Sequence, residues 1–405
     1  MKRLLAILLA GLLCLQFTGC SAPEPEVAVA VGMPTRNLMA KTAPAAVEPL
    51  VPDGAYRQAA ADFSVRLLQE SYREEGVLLS PYSLYILLSM VANGADSETL
   101  QQMEQTLGLP TGSLNRYLYS LGRDTRQELR LANSIWFAPS LGIKQEFLQS
   151  NADYYGAELY EASFNEKTAE EINTWVAERT AGRITELLDK LDPNDCMVLV
   201  NALCFDGQWA DAFEAENSYD GSFTAFDGTV QAARMMQGSA EKYIQAENAI
   251  GFVKEYENGY SFLALLPEES LSMEDYIASL SGEGLLALWQ NARAQDTAVT
   301  MPRLQIADKF SPIEALNALG MSDLFGADAD LSRLSDAPLY VSEMMHSCSM
   351  EIDESGTKAA AASSAVITYK GGIPKSVVLD RPFVMAILDN ETGTVLFLGV
   401  VASME

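Results

Sequence analysis

Among its 405 residues the chain has a single histidine, His346, and five cysteines without a Cys-x-x-Cys pair. No His-Glu-x-x-His, no zinc-ligand spacing and no Gly-x-Ser-x-Gly elbow occurs, so the common zinc and serine-hydrolase signatures are missing. Asp328 and Asp330 begin like a calcium loop, but Arg333 stands where its turn demands glycine, and no metal or cofactor is expected. Basic residues are few, 27 Lys and Arg against 55 Asp and Glu, for a formal net charge of −28. A surface that acidic repels phosphate backbones and anionic lipid, which excludes a nucleic-acid partner and favours basic ones. The apolar run from Leu4 to Phe17 covers 14 residues, short of the ~20 that span a bilayer as a helix.

Lys2 and Arg3 precede that run, and Phe17-Thr18-Gly19-Cys20 closes it. The arrangement reads as a secretory signal over 1–19. The last four residues resemble a bacterial lipobox, with Phe17 where Leu is usual, and the resemblance implies that Cys20 carries lipid. The protein is thus expected to be exported, at the cell surface or outside it, and tied to a membrane through that lipid only. Residues 21 to about 54 hold Pro23, Pro25, Pro34, Pro44, Pro49 and Pro52 with no helical or strand period, and 20–55 reads as a tether. Fully stretched it would reach about 110 Å. Cys196, Cys204 and Cys348 remain for the folded part, an odd number in apolar surroundings, and are expected to be buried free thiols.

With 48% apolar and 20% charged residues, the rest has the balance of a domain with a large core. Tyr56, Ala59, Ala60, Phe63 and Leu67 fall on one helix face. Ser80-Pro81 supplies an N-cap and first-turn proline, with Gly94 as the stop; a helix over 97–107 follows, ended by Gly108, and another over 166–181, capped by Asn165 and ended by Gly182. Strand patterns occupy 129–137, 197–205, 262–266, 297–301, 339–352, 383–388 and 395–401, the last two joined by the turn Asp389-Asn390-Glu391-Thr392-Gly393. Helices come mainly first and strands mainly last, an α+β chain with antiparallel or mixed sheets.

Glu354 to Val366 (ESGTKAAAASSAV) is a long, small-residue connection between two strands. Such connections are usually functional or disordered; taken alone, this one reads as a flexible Ala/Ser linker. Five further segments change the reading: Ser80-Pro81-Tyr82-Ser83-Leu84, Asn133-Ser134-Ile135-Trp136, Asn201 to Trp209 (NALCFDGQW), Ala329-Asp330-Leu331-Ser332, and the end running from Asp380-Arg381-Pro382-Phe383-Val384 to Gly399. Together and in this order they resemble the serpin family over 56–405. The resemblance implies a serpin fold: a large, mixed or antiparallel sheet A, smaller sheets B and C, about eight to nine helices and an exposed reactive-centre loop over about 354–380.

It also implies a function, that of a monomeric serine protease inhibitor and not an enzyme. The protease cuts the loop, and the freed strand enters sheet A and carries the acyl-enzyme with it. Glu354, Gly356, Thr357, Ala359, Ala360, Ala361 and Ala362 match the hinge of inhibitory members. Strand alternation puts Thr357, Ala359, Ala361, Ser363, Ala365 and Ile367 on the buried face, with no charge among them. Lys358 stands where the family usually has Glu, on the solvent face. Counting from Thr357 puts the scissile bond at Lys370-Gly371, roughly 45 Å along an inserted strand. Counting back from Pro382-Phe383 gives Gly371 as the cleaved residue. Lys370 suits a trypsin-like protease; Tyr369 would suit a chymotrypsin-like one, and a cysteine protease is a further possible target. Ser80, Ser83, Asn201 and His346 match the family's shutter, and Trp209, Arg303 and Glu354 its breach, with Arg303 in place of the frequent Lys. An exposed Arg303–Glu354 pair would be worth under about 1 kcal/mol. The alternatives are a non-inhibitory, binding or chaperone-like serpin and, distantly, an exported serine hydrolase built on Ser239-Ala240-Glu241-Lys242.

Overall fold

The helix signals in the sequence act where they stand. In the computed structural model, which describes residues 34–123, 126–357 and 375–404, the Ser80 side chain accepts from the Ser83 N–H and opens the helix Pro81–Ala92. Gly94 donates back to the Val91 carbonyl. Gly108 takes a left-handed conformation and closes Ser97–Leu107. The helix capped by Asn165 runs over Glu166–Arg179 and stops before residue 181, because Thr180 leaves helical geometry and Ala181 and Gly182 both take positive φ. Helices at Thr111–Leu121 and Gln145–Tyr155 and three shorter ones are additional to those read from the sequence; with Gly54–Ser71 and the three just described they make nine among the described residues.

Two sheets form the frame. The larger orders its strands Arg36–Asn37, Glu158–Glu161, Leu129–Phe137, Met197–Phe205, Glu343–Asp353, Leu304–Phe310, with the two-residue strand Gly356–Thr357 beside Glu343–Asp353. In the other, the 16-residue strand Val230–Gln245 pairs with Tyr219–Thr224 at its start, Arg293–Pro302 in its middle and Ala249–Glu255 at its end. The two smaller sheets expected from the resemblance are therefore continuous through one strand. The predicted strands 197–205 and 395–401 are observed with those bounds. Strand Met197–Phe205 is buried along its whole length. Val198, Val200, Ala202 and Cys204 face the Glu166–Arg179 helix cluster, while Met197, Leu199, Leu203 and Phe205 face the cores between sheets and helices. A strand covered on both faces reads as a continuous apolar run.

Residues 34–53 depart from the free tether expected of them. Arg36–Asn37 adds an antiparallel strand to Glu158–Glu161. The Ala45 N–H donates to Asp153, Gln149 donates to the Ala43 carbonyl and Leu50 N–H to that of Arg116. Leu38, Met39 and Leu50 pack on the core. The segment lies along the domain. Residues 1–33, with Cys20, and 358–374, with Ala359 to Ala362, Tyr369, Lys370 and Gly371, fall outside the described residues.

Candidate functional site

Strands Met197–Phe205 and Glu343–Asp353 are parallel neighbours in the middle of the large sheet, in register from Val198↔Glu343 to Cys204↔Ser349. Each has an antiparallel partner on its other side. Beyond Ser349 the pair is no longer directly bonded, and the chain fills the gap itself. Glu354-Ser355 makes a two-residue turn, so that Gly356 returns opposite Asp353 and Thr357 opposite Ile352. On the far side Gly356 bridges Gln208, and the Thr357 N–H donates to the Gly207 carbonyl over 2.6 Å. Gly356 has φ +141°, and a Cβ there would meet the Gly207 carbonyl oxygen at 2.3 Å, so only glycine fits.

Around this seat lies the breach. Trp209 donates its indole N–H to the Asp353 carbonyl and its backbone N–H to that of Ser355. Its ring stacks on Tyr256 at 4.2 Å and 13°, and the Tyr256 hydroxyl bonds that of Thr357 over 2.8 Å. Thr357 is fully buried, on the face that alternation assigned to it. Beneath, the Lys254 ammonium sits over the Trp209 and Phe213 rings and donates to the Ser239 carbonyl. Burial depresses its pKa. Arg303 donates two hydrogen bonds of 2.8 Å to Glu354, whose other contact is the Ser218 hydroxyl. The pair is not the exposed one expected: the Glu354 side chain is 8% exposed and that of Arg303 48%. Burial works to raise the Glu354 pKa, but the bonds from Arg303 and Ser218 hold it below the ordinary carboxylate value.

Lower down, the shutter crosses four strands in one row. Asn133 pairs with Asn201, Asn201 with His346, and His346 with Phe310. The Ser80 N–H donates to His346 Nε2 over 3.1 Å, so that nitrogen is an acceptor and Nδ1 carries the proton that it shares with Asn201 Oδ1. The Ser83 hydroxyl donates to the same Asn201 oxygen over 2.8 Å, and the Asn201 amide donates to Asn133. Burial lowers the His346 pKa to about 3. The histidine is neutral and structural, and the four predicted shutter residues are brought together.

Sequence reasoning missed Asn133, Ser218, Lys254 and Tyr256. Asn133 and Gly207 lay within quoted segments, but nothing in the chain itself says that Tyr256 will meet Thr357, 101 residues away.

The rival chemistry fares differently. Ser239 donates its hydroxyl to Asp211, while Lys242 pairs with Glu255. They lie three residues apart on one strand and so on opposite faces. No cluster of metal-ligating side chains exists among the described residues. Asp330 accepts from the Ser332 N–H in a local turn. Cys204 and Cys348 are buried free thiols on opposite faces of the sheet, with pKa values raised by burial; Cys196 is only half-buried.

Comparison with known proteins agrees with this geometry. The family model described as serpin (serine protease inhibitor) matches residues 58–404. Serpin-ZXA of Oryza sativa subsp. japonica is 32% identical over 355 residues, covering 81% of this chain and 90% of its own. The thermophilic serpin tengpin in its native state superposes with a TM-score of 0.87 at 40% identity, over 92% of this chain and all of that one. Human thyroxine-binding globulin in complex with its ligand gives 0.79 at 26% identity, over 86% and 99%.

Proposed function

The chain belongs to the serpin family, and from that premise we propose that it stops a serine protease by acting as its suicide substrate. The observation that carries the reading is the parallel pair with Gly356–Thr357 already seated at its open end. A strand continuing from Thr357 would run antiparallel to both neighbours. It would replace one parallel ladder by two antiparallel ones, which are more stable per residue. Neighbours about 4.8 Å apart would separate to about twice that, so the Asn201–His346 bond must break as the strand passes. The shutter is then the element that resists opening.

In this reading the protease's serine attacks the Lys370 carbonyl carbon, the Lys370–Gly371 bond breaks, and Lys370 stays esterified to the enzyme. Insertion then removes the ester from water before it hydrolyses. Lys370 directs the inhibitor to trypsin-like enzymes, and Tyr369 would direct it to chymotrypsin-like ones. The lipobox-like Cys20 supports an exported inhibitor held at a membrane surface. The likeness to thyroxine-binding globulin supports a second reading, a serpin that binds and does not trap.

Incubation with trypsin distinguishes them on a denaturing gel. A band resistant to SDS, at the sum of the two masses less the released peptide 371–405, is the expected result, with Thr357→Arg giving cleaved protein and little complex. That variant must bury a charge where Thr357 is fully buried. Cleavage of the parent without complex formation favours the second reading.

A further inference from the structure

Along the bonded part of the central pair, each residue from Glu343 to Ser349 stands beside the residue 145 places earlier in the chain. Asp353 and Gln208, which flank Gly356 at the open end, are also 145 apart. The two strands therefore keep one offset on both sides of the point where they part. A strand growing from Thr357 enters by pushing them sideways, with no slip of either along the other. We propose that this register delivers the Ser363 hydroxyl to the shutter row, where it takes over the bond between Asn201 and His346.

Thr357 stands opposite Ile352, and opposed residues share a face, so every second residue after Thr357 meets the core-facing side chains of both neighbours. On that offset the first rung lies between Met350 and Phe205, and the second between Cys348 and Leu203. The third lies between His346 and Asn201, the fourth between Met344 and Leu199. All eight residues are buried, and only the third pair is polar. In the chain, Ala359, Ala361, Ser363 and Ala365 would fall on these rungs in turn. They lie outside the described residues, but their order matches that of the rungs. The one polar residue meets the one polar row.

The row needs such a residue. His346 Nδ1 carries a proton that Asn201 Oδ1 accepts, and an entering strand about doubles the ~4.8 Å between their backbones. With only an aliphatic side chain between them, the ring N–H would be buried without an acceptor. A serine hydroxyl has one proton and two lone pairs. Ser363 would give its proton to Asn201 Oδ1 and accept the His346 N–H, while the Ser83 hydroxyl keeps its place on the same Asn201 oxygen. A register two residues off would preserve the faces but bring Ala361 or Ala365 into the row, so the hydroxyl also fixes where the strand stops. Ser363 has this role only if the cut loop enters the sheet, as the inhibitory reading requires, whether or not a protease is trapped.

Nicking the full chain with thermolysin, a zinc protease that forms no acyl-enzyme, separates insertion from trapping. With the cut placed beyond Ser363 by mass spectrometry, the parent should melt higher than the uncut chain. Ser363→Ala should lower that gain by about 2–4 °C, and Ser363→Thr should restore it. The double variant Ala361→Ser/Ser363→Ala, with its hydroxyl one rung away, should not. His346 is the chain's single histidine, so its ring N–H resonance can be followed alone, and it should differ between the nicked parent and nicked Ser363→Ala. Equal gains in those two proteins, or one shared resonance, overturn the role of the hydroxyl. Rescue by the serine at 361 overturns the register. A parent that gains nothing on nicking overturns both this role and the inhibitory reading. One that gains and yet traps no trypsin removes the inhibitory reading alone, with Ser363 still decided by the variants.

Discussion

The shutter and the breach hold the same two strands by different physics. The shutter is neutral, and its four predicted members are wholly buried: His346, Asn201, Ser80 and Ser83 are each 0% exposed and bond to one another and, through the Asn201 amide, to the partly buried Asn133. The breach holds a half-exposed guanidinium against a nearly buried carboxylate, an aromatic stack and a buried ammonium. Loss of one member from a buried network strands the rest, whereas water can replace part of what a half-exposed group supplies. The middle of the sheet is therefore the firm grip and its top the adjustable one.

Substitutions can break that contrast, the largest effect being expected at Asn201→Ala. It removes the acceptor of both the Ser83 hydroxyl and the His346 ring N–H, together with the donor to Asn133. Urea unfolding should show a loss of about 3 kcal/mol; a loss below about 1 kcal/mol would abolish the distinction drawn here.

Acid should loosen the shutter next. His346 titrates near 6.5 when unfolded and at about 3 when folded, because burial disfavours its charged form. Between those values the unfolded chain binds the extra proton, so the stability that the neutral ring contributes is present above about pH 6.5 and declines as the pH falls toward 3. At pH 5 this group alone should have lost about 2 kcal/mol. His346→Asn should lack that part of the slope, and parallel pH–stability curves for the two proteins would count against a desolvated neutral histidine.

At the breach the effects shrink. Arg303→Ala leaves the Glu354 carboxylate with the Ser218 hydroxyl alone. A loss of about 1.5 kcal/mol is expected, above the exposed-pair value because Glu354 is shielded and below the fully buried one because Arg303 is not. A double-mutant cycle with Glu354→Gln measures the coupling. Smallest is Tyr256→Phe, which removes one bond to Thr357 and keeps the stack on Trp209. About 0.5–1 kcal/mol is expected, with faster hydrogen exchange at the Thr357 amide as the sharper readout. A larger effect than that of Asn201→Ala would invert the comparison.

Much of the frame was legible in the residues. Ser80-Pro81, Asn165 and Gly108 act locally, and cap chemistry needs no tertiary information. The fully covered strand Met197–Phe205 announced itself as an apolar run interrupted only by Asn201. Strand Val230–Gln245 did not, because three different partners along 16 residues impose three different burial patterns. Residues 34–53 were misread for the opposite reason. Their attachment is made by backbone hydrogen bonds and three partly buried side chains, which leave no period in the sequence. The shutter and breach were readable only through the family's segments. Asn133 lay in one of those segments with nothing to mark its role, and Tyr256 and Ser218 lay outside them all; their contacts are set by how distant strands come together, which is a property of the sheet.

The two-residue turn Glu354-Ser355 bears on kinetics as well as shape. Starting a new strand is ordinarily the slow, entropically unfavourable event, since a chain end must find its place before any bond rewards it. Here the first rung is in place in the uncut molecule, with Thr357 bonded to Gly207. If the loop is severed as proposed, what would remain is propagation from an existing nucleus, rung after rung, like a zipper whose slider is already engaged. The race against hydrolysis would then be decided by how quickly the row at His346 parts.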